Sequence, residues 1–126
     1  MEGFDFVHSE TVRFRDVDAM GHVNNAVFLT YLEEARIAYL VRFGAEVEHM
    51  ILARMEIDFR APLRTGDPIE VGVRPAGVGT KSFELEYVVR SGDTVAAEAK
   101  SVIVSFDYES GESVEVPESW REALAA

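Results

Sequence analysis

From Ala26 to Phe43 the chain reads AVFLTYLEEARIAYLVRF, thirteen apolar residues in eighteen with no glycine or proline. At 100° per residue, Thr30, Glu33 and Glu34 share an arc of about 100°, with Arg36 flanking it. The pattern predicts a helix with one narrow polar stripe and most of its circumference buried. Asn24 or Asn25 supplies the start signal and Gly44 the stop. At a rise of about 1.5 Å per residue the helix would run about 27 Å.

Most other apolar residues recur with period two. Val7–Arg15 alternates in part. In Ile51–Phe59, five apolar residues interleave with Leu52, Arg54, Glu56 and Asp58. Turn chemistry at Arg64-Thr65-Gly66-Asp67-Pro68 separates this strand from a short one, Ile69–Val73, predicted to end at Pro75 with Gly77 and Gly79 in the following loop. Phe83–Arg90 alternates again, Ser91-Gly92-Asp93 makes a tight hairpin, and Thr94–Phe106 is the last long strand. In the tail, residues 107–126, Pro117-Glu118-Ser119 can open one short helix. One strand, one long helix and four strands joined by short turns imply an α+β fold with an antiparallel sheet curled around the helix, in a single domain with its core between about 7 and 106. A doubly wound α/β fold would need more long helices.

Charge narrows the function. Twelve basic and 23 acidic residues give a net charge of −11, a poor match to nucleic acid or to an anionic membrane surface. The acidity sits at the two ends: residues 1–53 and 101–126 each carry −5, and 54–100 only −1. The absence of cysteine excludes a disulfide scaffold, a zinc knuckle and a thiol nucleophile. No metal-ligand spacing is read along the chain, and no cofactor is expected. MEGFDFVHSE lacks the basic-then-apolar pattern of a signal peptide, and no apolar run approaches the ~18 residues of a membrane span, so the expected location is cytoplasmic.

Candidate chemistry gathers between the first strand and the helix, in Arg15-Asp16-Val17-Asp18-Ala19-Met20-Gly21-His22-Val23-Asn24-Asn25. A carboxylate near position 18 is ionised at neutral pH, imidazole and carboxamides donate hydrogen bonds, and a helix start offers unpaired N–H groups at its positive end. A base or nucleophile beside an oxyanion-stabilising helix start is what acyl transfer to water requires. Each residue also has a plainer reading. Asn24 and Asn25 are good caps, Gly21 supplies an unusual backbone angle, and Asp16 can pair with Arg13 or Arg15. Glu33 and Glu34 read as a solvated stripe, and His8 and His49 have no partner nearby in sequence.

The stretch RFRDVDAMGHVNNAVFLTYLEEAR resembles the signature of hot-dog-fold acyl-CoA thioesterases of the 4-hydroxybenzoyl-CoA thioesterase type, and Asp58-Phe59-Arg60-Ala61-Pro62-Leu63-Arg64-Thr65-Gly66-Asp67 is similar to that family's strand and turn after the helix. The resemblance covers about residues 7–106. It implies a five-stranded antiparallel sheet around one long central helix, and hydrolysis of a thioester to a free acid and a thiol. The catalytic carboxylate falls on Asp18, and the N–H that polarises the carbonyl at or near Asn25. His22 and Asn24 match the His-Val-Asn of related acyl-carrier-protein thioesterases, where they orient water or the carboxylate. That branch has Asn where this chain has Met20, and the 4-hydroxybenzoyl enzyme has Pro where this chain has Ala19. Gly21, Phe28, Tyr31 and Met55 are candidates for contacting the acyl group, and Arg60, Arg64 and Lys81 for the phosphates of CoA. The expected partners are an acyl-CoA or acyl carrier protein substrate and a second copy of the chain, as homodimer or homotetramer. Three other readings stand beside this one: a hydroxyacyl dehydratase or hydratase on the same fold, whose motifs are absent; a non-catalytic acyl-CoA-binding or sensing module, which has no need of an ionised carboxylate at the carbonyl; and a structural or interaction protein, which leaves the polar cluster unexplained.

Overall fold

The computed structural model describes residues 1, 3–42 and 44–125. Strand β1 (Phe6–Thr11) leads through a single 3-10 turn, Phe14–Asp16, to helix α1 (Asn25–Val41). Strands β2 (Met50–Phe59), β3 (Pro68–Val78), β4 (Ser82–Ser91) and β5 (Thr94–Asp107) follow, then a two-residue strand β6 (Glu112–Ser113) and helix α2 (Glu118–Ala125). The sheet order is β1-β3-β4-β5-β2, with β6 added to β5 and every pairing antiparallel. Because β1 and β2 occupy opposite edges, the chain between them must cross one face of the sheet, and α1 makes that crossing.

The core forms where α1 meets the sheet. Phe28, Tyr31, Leu32, Ala35, Tyr39 and Leu40 recur at three- and four-residue intervals on the buried side of α1. They join Ile69, Val71 and Val73 of β3, Phe83, Leu85, Tyr87 and Val89 of β4, and Ala97, Ala99 and Ile103 of β5. Small residues on β5 leave room for the helix's large ones. On the opposite face Gly72 is equally constrained, because a Cβ there would stand 2.7 Å from the Phe4 ring.

Several expectations change. The first strand stops at Thr11 instead of Arg15, since the chain turns at Phe14 to reach α1. Strand β3 runs past Pro75 to Val78: β1 begins opposite Val73 and runs back toward Pro68, which leaves the edge beyond Val73 open, and a register shift between Pro75 and Gly77 absorbs the irregularity. Phe43, the predicted last helical residue, lies outside the described residues. The helix is less enclosed than its composition implies, because Leu29, Ile37 and Val41 are 43%, 40% and 55% exposed. The sheet has six strands instead of the expected five, the sixth being the two-residue β6, and the short helix expected in the tail forms as α2. The tail is no appendage either: Val116, Trp120 and Leu124 belong to the core cluster, and α2 packs on β3. No helix among the described residues is long and apolar enough to cross a membrane.

Trp120 is 5% exposed and anchors this last helix. Trp120→Ala is expected to lower the unfolding free energy by about 3 kcal/mol. Val114→Ala, at an exposed position, should change it by less than about 0.5 kcal/mol. Urea unfolding of both variants checks the difference.

Candidate active site

The segment from Val17 to Val23 is a closed loop whose ends meet in an isolated antiparallel bridge. Asp18 N–H donates to the His22 carbonyl at 2.8 Å, and Gly21 N–H to the Asp18 carbonyl at 3.0 Å. Gly21 sits at φ +80°, which a side chain would strain. The Asp18 carboxylate organises the loop from inside: its Oδ1 accepts from Met20 N–H at 2.9 Å and from His22 N–H at 3.3 Å. Its Oδ2 has no partner among the described residues, and the residue is exposed. One carboxylate oxygen therefore fixes the loop while the other stays available.

Asn24 caps α1, its side chain accepting from Ala26 N–H at 2.9 Å. Asn25 is the first helical residue, and its N–H has no acceptor among the described residues. An unpaired donor thus stands at the positive end of a 17-residue helix. His22 Nε2 lies 3.4 Å from Nη2 of Arg64. A guanidinium only donates, so a hydrogen bond there requires the neutral imidazole with its proton on Nδ1.

Asp18, His22, Asn25 and Phe28 form one wall of an open cleft of about 330 Å³, and Phe59 to Pro62 form the other. The second wall is set by the sheet. Arg60 and Ala61 both donate N–H to the Ala96 carbonyl, and Val23 N–H donates to Leu63, so the end of β2 is held beside the helix start. Phe28 and Phe59 meet edge to face at 5.2 Å. Two larger hollows, of about 410 and 530 Å³, lie among charged residues of β2–β5 and beside α2. The first has no helix start in its lining, and the helix start at the second belongs to the eight-residue α2.

Asp16 has a different role from Asp18. It is 5% exposed, and its Oδ2 accepts from the Tyr31 hydroxyl at 2.7 Å and from Arg13 N–H and Nε at 3.0 and 3.3 Å. Burial raises its pKa, but the Tyr31 and Arg13 hydrogen bonds prevail and hold it below the usual value. Burial first, and then Asp16, push the Tyr31 hydroxyl well above its ordinary range.

The structure brings Asp18, His22, Asn25, Phe28 and Arg60 into one cleft, with Asn24 and Gly21 shaping it and Arg64 at its edge. Tyr31 is not there: it is wholly buried and committed to Asp16. Met55 packs half-buried against the core in the middle of β2. Lys81 is remote. Its carbonyl accepts from Ser105, whereas the cleft joins β5 at Ala96, about 30 Å away along the strand. Arg60 is already paired, both Nε and Nη2 reaching Glu98 at 3.1 and 2.9 Å. The neighbours of the other polar residues also differ from the sequence reading. His8 meets Glu10 at 2.9 Å and His49 meets Glu46 at 3.0 Å, while Glu34 is half-buried and Glu33 exposed. Phe59 and Pro62 went unrecognised as cleft residues, because only the β2–β5 pairing places them there.

A curled antiparallel sheet crossed by a helix, with a polar loop at the helix start, defines an α+β thioesterase fold of the hot-dog type. Residues 12–124 match the family model of the thioesterase-like superfamily, and the chain belongs to that superfamily and is a thioester hydrolase. A solved thioesterase from Thermus thermophilus, complexed with coenzyme A and Zn, is 42% identical; the match covers 98% of this chain and 94% of that one, with a TM-score of 0.91. A 1,4-dihydroxy-2-naphthoyl-CoA hydrolase of Nostoc punctiforme is 28% identical over 121 residues, 90% of this chain and 82% of the relative. The solved 1,4-dihydroxy-2-naphthoyl-CoA thioesterase from Synechocystis shares the fold, with a TM-score of 0.86 at 22% identity over 95% of each chain.

Asp16 supplies a pH signature. Its folded pKa lies below the unfolded value of about 3.9, so its contribution to stability is present above that pH and is lost as pH falls through the folded pKa. Asp16→Asn is expected to cost about 1–3 kcal/mol at pH 7. That gap from wild type should narrow toward pH 3 in urea unfolding. A gap independent of pH would assign the effect to something other than the carboxylate's charge.

Proposed function

We propose that this protein hydrolyses an acyl-CoA thioester to a free carboxylic acid and CoA, with Asp18 supplying the reactive carboxylate. One observation carries the reading: the free Oδ2 of Asp18 and the unpaired Asn25 N–H occur at the same cleft. The thioester carbonyl oxygen lies toward Asn25, where the N–H and the helix dipole stabilise negative charge as the tetrahedral centre forms. Asp18 drives the attack. Its Oδ2 either removes a proton from a water that attacks the carbonyl carbon, or attacks that carbon itself to give a mixed anhydride that water then cleaves. In both routes the C–S bond breaks, the sulfur leaves with the electron pair and takes a proton, and the acid is released. His22, held by its own N–H to Asp18, orients the water, and Asn24 holds the helix start in place.

CoA is an anion, and Arg64 is the guanidinium best able to meet its phosphates, since it makes no ion pair with a carboxylate among the described residues. Arg60 must share itself with Glu98. The name of the Nostoc relative and the coenzyme A in the Thermus structure support a CoA thioester over acyl carrier protein. The motif's likeness to the 4-hydroxybenzoyl-CoA type belongs to the same reading. So does a homo-oligomer in the cytoplasm: β2 is a sheet edge, and Leu52 and Phe59 on it join Leu29, Ile37 and Val41 as exposed apolar residues suited to a second copy.

Thiol release from a panel of alkyl and aryl CoA thioesters tests this. Asp18→Asn is expected to lower kcat/KM by about 10²–10⁴-fold with the fold intact by circular dichroism. Equal activity in both proteins would remove Asp18 from the mechanism, and acyl-CoA binding without turnover would leave a binding module. Separately, Arg64→Ala should raise KM for a CoA thioester about tenfold, the size of one charge-assisted hydrogen bond. It should leave the phosphate-free N-acetylcysteamine thioester little changed.

A further inference from the structure

We propose that His8, Glu10 and Glu34 form a site for a divalent transition-metal ion of the zinc class that ties β1 to α1. His8 and Glu10 are two apart on β1 and therefore project from the same face of the strand. Glu34 comes from α1, which crosses that face. The three side chains offer one imidazole nitrogen and two carboxylate oxygens, all within 4.8 Å of one another. Small rotamer adjustments bring such a set to the roughly 2.0–2.2 Å bond lengths of a common zinc ion. All three residues are half-buried, unlike the solvated acidic pairs of a protein surface.

The arrangement also calls for a cation. The Glu10 and Glu34 carboxylates, from different elements, approach within 4.8 Å of each other in a half-buried setting. Arg13 also feels both of them but is committed to the buried Asp16. His8 already points Nε2 at Glu10 Oε2 at 2.9 Å, and one ion can take the place of that contact while accepting all three donors. One nitrogen and two oxygens suit zinc and its neighbours, whereas magnesium and calcium prefer oxygen alone. Three protein ligands leave further positions for water. The site lies apart from the Asp18 cleft, and the proposal does not depend on the thioesterase reading.

The test is calorimetric titration of zinc chloride into EDTA-treated, dialysed full-length protein, with thermal unfolding of the same samples. Wild type is expected to take up one zinc per chain and to unfold at a higher temperature when loaded. His8→Gln and Glu34→Gln should each weaken that binding by at least tenfold. His49→Gln should leave it unchanged, since the exposed His49–Glu46 pair is the obvious adventitious site. Glu34→Gln relieves a like-charge contact, so its metal-free protein should unfold no earlier than wild type; it decides the matter if His8→Gln is unstable. No zinc uptake by wild type would overturn the proposal. So would uptake that survives both ligand substitutions, uptake lost in His49→Gln, or displacement by a hundredfold excess of magnesium.

Discussion

The buried Asp16 is the point through which the first strand, the helix and the loop carrying Asp18 are joined. Its backbone carbonyl accepts from Asn24 N–H at 3.0 Å, and its carboxylate accepts from Tyr31, about two helical turns farther on. One residue therefore grips α1 at its cap and again in its body, and Arg13 closes the other side. Burying a carboxylate is costly unless donors surround it, and three donors do so here. With the helix held at two points, the loop between Asp16 and Asn24 has both ends fixed. Asp18 and His22 then have little freedom to leave the wall that faces Phe59 and Pro62.

That division of labour explains what could be read in the sequence. Helix α1 and strands β2, β4 and β5 were legible because each writes its own period over ten or more residues. The motif around Asp18 was legible because its polar density is local. The distinction between Asp16 and Asp18 was only partly so: pairing with Arg13 is a three-residue relation, but the contact with Tyr31 spans fifteen positions. The same limit hid the second cleft wall, which depends on Ala96 receiving the N–H groups of Arg60 and Ala61, just past the end of β2 and far earlier in the chain. It also separated Lys81 from the arginines with which sequence proximity had grouped it. Helix α2 was foreseen as an element but not as part of the core, since its acidic composition conceals two apolar residues four apart.

Electrostatics sets the scale at which a ligand is recognised. A chain of net charge −11 repels a polyanion at long range, yet screening limits that field to about 8 Å at physiological ionic strength. What a small phosphorylated ligand meets is the local arrangement. At the cleft one guanidinium, Arg60, is already paired with Glu98, while among the described residues the guanidinium of Arg64 meets the His22 imidazole and no carboxylate. An arginine without a carboxylate partner needs no ion pair broken before it binds phosphate, so Arg64 offers more net attraction than Arg60 although both are exposed. On the proposed reading, a compact anion needs only a single basic position, whereas nucleic acid needs an extended basic surface.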